Sequence, residues 1–410
     1  MRQLSISSYL KSWFVRPTSP LSIETKNYFP ALTGIRAVAA YSVFLLHFNP
    51  FRTFDDVQSA ASNVVNELHV GVCIFFVLSG FLICLRYFDS FSFDKKWFIR
   101  YLQNRVARIY PMYFLLTTLT FIVAAVAADG QFDGSLYAAH ITFVRGFFDD
   151  LRFTGIGPGW SLTVEECFYF SAPVIFLLAK RFRLAWQPLF LILTACALVF
   201  ISQKTGASQT AGFFGSYKNT LIYTFFGRCF EFYVGIQLAL IFKKRRRAAS
   251  EFPSAYFTAL GASWISACVV ALSLLKTPDV AQGLLTPLGI VVNNLVLPFG
   301  VAFLFWGLLT EKTALRRALE TPLAEVLGKS SYIFYLIHVG VISAFLTENI
   351  TAHHILPTFI ALNIVAIALF YWIEEPLNRR IRKQNWVKKT TINRPQDPSV
   401  LSAKKTEISF

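Results

Sequence analysis

Ten apolar segments, each about 20 residues long, constrain this chain more than any other feature of its sequence. They cover approximately 30–50, 67–87, 110–128, 160–179, 184–202, 220–242, 254–275, 286–309, 331–349 and 356–374. Such a segment crosses a bilayer as a helix, because a helix satisfies all of its backbone hydrogen bonds internally. With 55% hydrophobic residues in 410, the sequence predicts an all-α, polytopic integral membrane protein with about ten transmembrane helices.

The distribution of lysine and arginine predicts the orientation of these helices. If the N terminus is cytoplasmic, the inner segments hold 31 of the 39 Lys and Arg residues and the outer loops hold six. Only Arg36 and Arg228 then lie within spans. This bias towards the inner side predicts that both termini are cytoplasmic. The formal net charge of +16 is therefore a topology signal and does not predict a nucleic-acid partner.

The segments divide the chain into three parts. We expect a cytoplasmic N-terminal segment at 1–29, a transmembrane domain at 30–376 and a basic, disordered cytoplasmic tail at 377–410. The first residues lack the apolar core and cleavage site of a signal peptide, so we expect them to stay cytoplasmic. The basic tail favours contact with anionic membrane lipid. The six cysteines occur singly within apolar stretches and predict neither a disulfide framework nor a metal site.

The first apolar segment contains two side chains that are costly in lipid. Residues 34–49, GIRAVAAYSVFLLHFN, carry Arg36 and, eleven positions later, His47. Eleven residues of helix rise roughly 16 Å in about three turns, so both side chains lie on one face at different depths. Ionisable groups within a span usually mark function, and a neutral imidazole near the outer surface can act as a general base. Arg36 taken alone is also explained as an anchor that extends to the inner surface.

Two arginines lie at the predicted inner surface before Pro111. Arg105 and Arg108 are three residues apart, which places both guanidinium groups on one face of a helix. Such a pair can clamp a phosphate-bearing ligand. From the spacing alone, an ordinary basic cluster on the inner side is the simpler interpretation.

Two adjacent carboxylates open the fourth apolar segment. Glu165 and Glu166 lie about 8 Å along a helix from the interfacial Trp160. We therefore place the two carboxylates near the depth of His47 in the outer leaflet. One of them could orient His47 or bind an acceptor hydroxyl. The alternative is that both face an outer vestibule as solvated charges.

Four further polar residues, at three sites, lie within spans. Ser79 and the glycine after it most simply permit close helix packing. Arg228 and Glu231, three residues apart, most simply neutralise each other in lipid. His338 lies about seven residues into the ninth segment from the inner side. We therefore expect it near the depth of Arg36, where the two side chains could line the inner part of one cavity.

Together these motifs resemble those of acyltransferase family 3, the integral-membrane O-acyltransferases of bacterial surface glycans and other secreted hydroxyl acceptors. One departure is Cys73, which stands where the family usually has an aspartate, so we expect no acid-base role for the second span. The matching motifs are Arg-x10-His at 36–47, GVCIFFVLSGFLI at 71–83, Arg-x-x-Arg with the following Ile-x-Pro at 105–111, WSLTVEECFYF at 160–170, GRCFEFYVG at 227–235, GKSSYIFYLIH at 328–338 and IEEPLNRR at 373–380.

The resemblance implies an acyl-CoA donor that arrives from the cytoplasm as a co-substrate, with no bound cofactor and no metal. It implies that His47 is the catalytic base and that Arg36 is its partner on the same helix. Glu165 matches the acid of the family motif better than Glu166 does, and we expect it to assist His47. Donor binding is expected at Arg36, Arg105, Arg108 and His338, with Glu166 and Ser79 as secondary candidates.

The expected partners are therefore acyl-CoA, most simply acetyl-CoA, membrane lipid, and a glycan or lipid-linked glycan acceptor such as lipopolysaccharide O-antigen or exopolysaccharide. The expected location is a bacterial inner membrane. The main alternative is a transporter or flippase for an amphipathic glycan or lipid, because transport pathways also contain intramembrane charges. A membrane metalloenzyme is a second alternative, but the histidines and carboxylates lack the close spacing of metal ligands.

Overall fold

The computed structural model describes residues 28–52, 59–207, 212–246, 255–277, 279–351 and 353–384, and regular structure in these ranges is entirely helical. Nine helices there are long and apolar enough to cross a membrane. A bent pair of shorter helices makes a tenth crossing if it is counted as one. The predicted all-α membrane fold with about ten spans is confirmed, and the orientation of the termini stays a prediction.

The helices are numbered in chain order. They are α1 (Pro30–His47), α2 (Ala60–Asn66), α3 (Val70–Tyr87), α4 (Lys95–Ala127), α5 (Gly134–Ile141), α6 (Trp160–Ala179), α7 (Trp186–Lys204), α8 (Tyr217–Tyr223), α9 (Phe225–Arg246), α10 (Tyr256–Leu275), α11 (Pro287–Val291), α12 (Leu297–Thr310), α13 (Ala314–Leu319), α14 (Pro322–Ile337), α15 (Val341–Asn349), α16 (Ile355–Leu369) and α17 (Glu375–Lys383). Short π-helical turns join α11 to α12 and α16 to α17.

Helix α1 begins at Pro30, where the fixed φ of proline suits the first helical position and its missing N–H costs no hydrogen bond. It packs against α3 and α14. Thr33 lies beside Gly328 near the start of both α1 and α14, and the rings of Tyr41 and Phe334 meet edge to face at 5.0 Å further along. Helices α1 and α14 therefore run parallel, and both begin at the same end of the protein.

Helices α3 and α9 are the most deeply buried spans. They approach each other so closely that a methyl group added at Gly80 would overlap the carbonyl oxygen of Phe232. One added at Gly235 would in turn overlap the carbonyl oxygen of Val77. Small residues that let backbones approach are the usual means of packing helices in lipid. The prediction that Ser79 and Gly80 permit close helix packing is therefore confirmed for Gly80.

The ninth apolar segment, predicted as one span at 331–349, is not a straight helix. Helices α14 and α15 meet at an angle of 90°. The turn between them contains Gly340 at φ 116° and ψ −160°, a region of backbone space that is essentially restricted to glycine. Hydropathy does not reveal this bend, because the residues on both sides of it are apolar. The C-cap residue of α14 is His338.

The third predicted span, 110–128, is part of a longer helix. Helix α4 starts at Lys95, where the carboxylate of Asp94 caps the N–H of Trp97 at 2.7 Å, and it continues through Pro111. Proline is tolerated inside a transmembrane helix when neighbouring helices support the freed backbone groups. Arg105 and Arg108 therefore lie within the helix and not in a connection before it.

The predicted tail at 377–410 begins too early. Residues 377–383 continue α17, which packs against α4. The side-chain amide of Gln103 donates to the carbonyl oxygens of Ile381, at 2.6 Å, and of Gln384, at 2.5 Å. The remainder of the predicted tail, from residue 385, and almost all of the predicted N-terminal segment, residues 1–27, lie outside the described residues.

The segment between α4 and α6, residues 128–159, folds over the start of α6. Arg145 is fully buried there and donates to the carbonyl oxygens of Thr154 and, at 2.7 Å, Ile156. His140 is also fully buried, and its Nε2 atom forms a hydrogen bond with the hydroxyl group of Thr154. Burial, reinforced by the charge of Arg145, lowers the pKa of His140 to about 4. The ring is therefore neutral near pH 7.

Candidate active site

A cavity of about 140 Å³ lies between α1, α3, α4, α6 and α14. Five of the eight predicted site residues line it, although they come from four different helices. These five are Arg36, Ser79, Arg105, Arg108 and Glu165. The structure therefore brings together the cationic candidates and one acidic candidate in a single cavity.

Arg108 is held by a carboxylate that sequence reasoning did not assign to the site. Its Nη1 atom lies 2.5 Å from Oε1 of Glu374, whose side chain is only 1% exposed. Glu374 is the last residue of the π-helical turn after α16. Arg36 lies within electrostatic reach of both Glu374 and Arg108. The charges on α1, α4 and this turn therefore form one coupled group.

Arg105 lies among aromatic side chains. Its Nη2 atom donates to the hydroxyl of Tyr87 at 3.3 Å. Its guanidinium carbon lies 5.4 Å from the ring centre of Tyr87 and 5.6 Å from that of Tyr169, within the range of a cation–π interaction. In the part of the chain that the structure describes, its Nε atom is buried without a hydrogen-bond partner. Among the residues that the structure describes, no carboxylate forms an ion pair with Arg105.

The two adjacent glutamates of α6 separate. Glu165 lines the cavity and accepts hydrogen bonds from the hydroxyl groups of Tyr169, at 2.6 Å, and Ser79. Glu166 is not a lining residue, because successive side chains on a helix point about 100° apart. The expected assistance of His47 by Glu165 has no contact to support it, since the hydrogen bonds of Glu165 go to Ser79 and Tyr169.

His338 is not at the depth of Arg36, which corrects the prediction for this residue. Its ring centre lies 5.3 Å from that of His47, at the opposite end of α1 from Arg36. The prediction failed because α14 begins at Pro322, before the predicted start of the span at residue 331, so His338 lies at the far end of this helix. His47 is exposed, whereas His338 is fully buried. The two histidines form a pair of their own, and neither is a lining residue of the cavity.

Tyr335 lies between the histidine pair and the cavity and contacts both. It lines the cavity, and its ring centre lies 5.6 Å from that of His338. Its hydroxyl group forms a hydrogen bond of 2.9 Å with Ser161 at the start of α6. A single tyrosine therefore connects the charged cavity with the two imidazoles.

Sequence reasoning missed several residues of this site. Glu374 gave a signal, because it is an acidic residue at the end of an apolar segment, within the IEEPLNRR motif. The tyrosines gave none, since the chain has 16 of them and only the fold selects those that face the cavity. The missed lining residues with hydroxyl groups are Ser161, Tyr169, Tyr332 and Tyr335.

Arg228 and Glu231 form a bidentate ion pair of 2.6 and 2.7 Å, and both are fully buried on α9. The predicted structural pairing is confirmed. Cys73 lies beside this pair, within electrostatic reach of both charges. Within the described ranges, no three His, Cys, Asp or Glu side chains are grouped so that they could hold a metal ion.

Comparison with known proteins gives a consistent family. The family profile described as "Acyltransferase domain" (acyltransferase family 3) matches residues 29–375. The chain is 26% identical over 374 residues to a Bacillus subtilis protein named "Putative peptidoglycan O-acetyltransferase YrhL", an alignment that covers 85% of this chain and 55% of that protein. It is 26% identical over 343 residues to "Acyltransferase MdmB" of Streptomyces mycarofaciens, covering 76% and 79% of the two chains.

A third relative is "Putative O-acetyltransferase SACOL0978" of Staphylococcus aureus, with 22% identity over 386 residues that cover 88% of this chain and 59% of the relative. The chain thus spans little more than half the length of the Bacillus and Staphylococcus proteins. No solved structure matches it. The family profile covers the cavity and both histidines, and this chain belongs to acyltransferase family 3, a family of membrane acyltransferases.

Proposed function

We propose that this multi-pass membrane protein is an O-acyltransferase of a bacterial inner membrane. It moves an acyl group, most simply acetyl, from cytoplasmic acyl-CoA to a hydroxyl group of a glycan on the outer side. His47 is the general base. The observation that carries this proposal is that one helix, α1, presents Arg36 to the charged cavity and His47 to the opposite, exposed end.

The donor site is the cavity and its inner approach. Arginine suits phosphate recognition because its planar group donates two parallel hydrogen bonds. Arg105 is the strongest candidate, since its charge faces tyrosine rings and leaves hydrogen-bonding capacity unused. Arg108 can join it if a phosphate competes with Glu374. The extended arm of CoA then reaches along α1, across the rise of roughly 16 Å between Arg36 and His47.

The acceptor hydroxyl approaches His47 from the exposed end of α1. The hydroxyl oxygen attacks the thioester carbonyl carbon, a C–O bond forms, and the C–S bond breaks. His47 takes the hydroxyl proton during the attack and returns it to the sulfur of CoA, so the products are an ester and free CoA. Positioned donor and acceptor convert a bimolecular reaction into one between held groups.

The acceptor is proposed from the relatives and is a hydroxyl of a surface glycan, such as peptidoglycan, lipopolysaccharide O-antigen or exopolysaccharide. Two relatives are named as O-acetyltransferases, one of them for peptidoglycan. Acyl transfer differs from transport in its chemistry: a transporter moves an unmodified substrate and leaves acyl-CoA intact.

The experiment compares cell-surface glycans of cells that produce the wild type, His47→Ala or His354→Ala. His354 is an exposed histidine whose side chain caps no helix, which makes it a matched control. We expect one ester, detected by mass, in wild-type and His354→Ala cells and its loss in His47→Ala cells with equal protein in the membrane. The same ester content in His47→Ala cells would contradict the proposed base. No ester in any cells, with glycan moved across vesicle membranes, would favour a transporter.

A further inference from the structure

The strongest remaining feature is the environment of His338. Its ring is fully buried and stacks parallel to Phe334 at 6.2 Å between ring centres. Its Nδ1 atom lies 2.7 Å from the carbonyl oxygen of Tyr335. Among the residues that the structure describes, its Nε2 atom has no hydrogen-bond partner. Buried ring nitrogens of structural histidines are normally satisfied, so this atom requires an explanation.

The hydrogen bond of Nδ1 determines the tautomer of His338. A carbonyl oxygen can only accept, so Nδ1 must carry the proton and donate it. In the neutral ring the other nitrogen, Nε2, is then an acceptor with a free lone pair. The bend after α14 therefore presents a buried hydrogen-bond acceptor of fixed orientation.

His47 is the neighbour that can use this acceptor. The two ring centres lie 5.3 Å apart with an angle of 49° between the ring planes. The two rings are not hydrogen-bonded in this arrangement, since Nε2 of His338 has no partner among the described residues. A ring nitrogen lies about 1.2 Å from its ring centre, so a turn of the exposed His47 ring that faces a nitrogen towards Nε2 brings the two atoms to about 3 Å, a hydrogen-bond distance. Glu165 does not take this position, since it lies in the cavity and bonds Ser79 and Tyr169.

We infer that His338 is the positioning residue of His47, a deduction that rests on the proposed function. Nε2 of His338 accepts a hydrogen bond from one ring N–H of His47. This fixes the His47 tautomer whose other nitrogen is unprotonated and turned towards the acceptor hydroxyl. An aspartate performs the same task in serine hydrolases. Here the partner is neutral, which avoids placing an uncompensated carboxylate in an apolar position.

His338 stays neutral during the reaction. When the acceptor hydroxyl attacks the thioester, its proton goes to the free nitrogen of His47. The N–H···Nε2 hydrogen bond to His338 then strengthens, because His47 becomes a charged donor. The proton leaves His47 for the sulfur of CoA as the C–S bond breaks, and both histidines return to their starting forms.

Two amide substitutions at position 338 separate this role from a structural one. The side-chain nitrogen of asparagine falls near the Nδ1 position, so His338→Asn keeps the bond to the Tyr335 carbonyl and removes the acceptor at Nε2. The longer side chain of His338→Gln places its amide near the Nε2 position, where its oxygen can accept. A structural histidine needs the bond to the Tyr335 carbonyl oxygen. A positioning histidine also needs the acceptor at the Nε2 position.

The test measures kcat and KM for acetyl-CoA with purified wild type and both variants in lipid nanodiscs, with the glycan fraction in which the wild-type-dependent ester is found as the acceptor. We expect a fall in kcat of about 10-fold or more for His338→Asn, with KM changed less than about 2-fold. We expect His338→Gln to recover most of that loss. Thermal unfolding of each variant is recorded in parallel.

Activity of His338→Asn equal to or above that of His338→Gln would overturn the inference, and so would unfolding of both variants, because each marks a structural role. His47→Ala in the same assay separates this inference from the proposed function. If His47→Ala is inactive and His338→Asn is fully active, only the positioning role fails. If His47→Ala is fully active, the proposed function itself fails.

Discussion

Glu374 and Glu375 are adjacent carboxylates with opposite surroundings. Glu374 is 1% exposed and neutralises Arg108, whereas Glu375 pairs with Arg379, whose side chain is 71% exposed. Breaking a buried ion pair leaves an uncompensated charge, while an exposed pair on a helix contributes little to stability. The position of an acidic residue in the turn after α16 thus matters more than its presence.

We predict that Glu374→Gln lowers the free energy of unfolding by about 3 kcal/mol, because it leaves Arg108 without its carboxylate. Glu375→Gln is the matched control and should change it by less than about 0.5 kcal/mol. Thermal unfolding of the two variants in the same detergent measures the difference. Equal stability of the variants would show that the Arg108–Glu374 pair does not support the fold.

At the scale of helices, α3 carries both a packing surface and a site residue. Gly80 touches the α9 backbone, while its neighbour Ser79 faces the cavity and donates to Glu165. Adjacent residues on a helix point in different directions, so Gly80 can pack against α9 while Ser79 faces the cavity. The contact between α3 and α9 therefore sets the position of Ser79 in the cavity.

We predict that Gly80→Ala destabilises the protein by about 1–3 kcal/mol, because the added methyl group meets a backbone oxygen that cannot move freely. Gly134→Ala is the control, since the nearest atom to an added methyl group there is 3.9 Å away. Folded yield and thermal unfolding of both variants test this. A Gly80→Ala variant as stable as Gly134→Ala would mean that α3 and α9 are packed more loosely than described.

At the scale of the whole molecule, hydropathy was sufficient to predict the number of spans, and spacing was sufficient for the Arg228–Glu231 pair, which is local. Neither hydropathy nor spacing was sufficient where the geometry depends on contacts between residues distant in sequence. Arg108 and Glu374 are 266 residues apart in sequence, so no local pattern could pair them. The depth of His338 depended on the start of α14 at Pro322, which lies before the apolar segment predicted at 331–349. Because α14 runs alongside α1 from that start, His338 and not Glu165 lies beside His47.

The central claim is that the two ends of α1 have separate tasks, donor binding at the end with Arg36 and proton transfer at His47. The most direct test measures the dissociation constant for radiolabelled acetyl-CoA and the transfer rate at saturating donor, in nanodiscs, for wild type, His47→Ala and Arg105→Gln. We predict that His47→Ala binds within about 2-fold of wild type and transfers at least 100-fold more slowly. Arg105→Gln should bind at least about 10-fold more weakly and keep most of its rate at saturation. Loss of binding and rate together in His47→Ala, or wild-type transfer by it, would contradict the account.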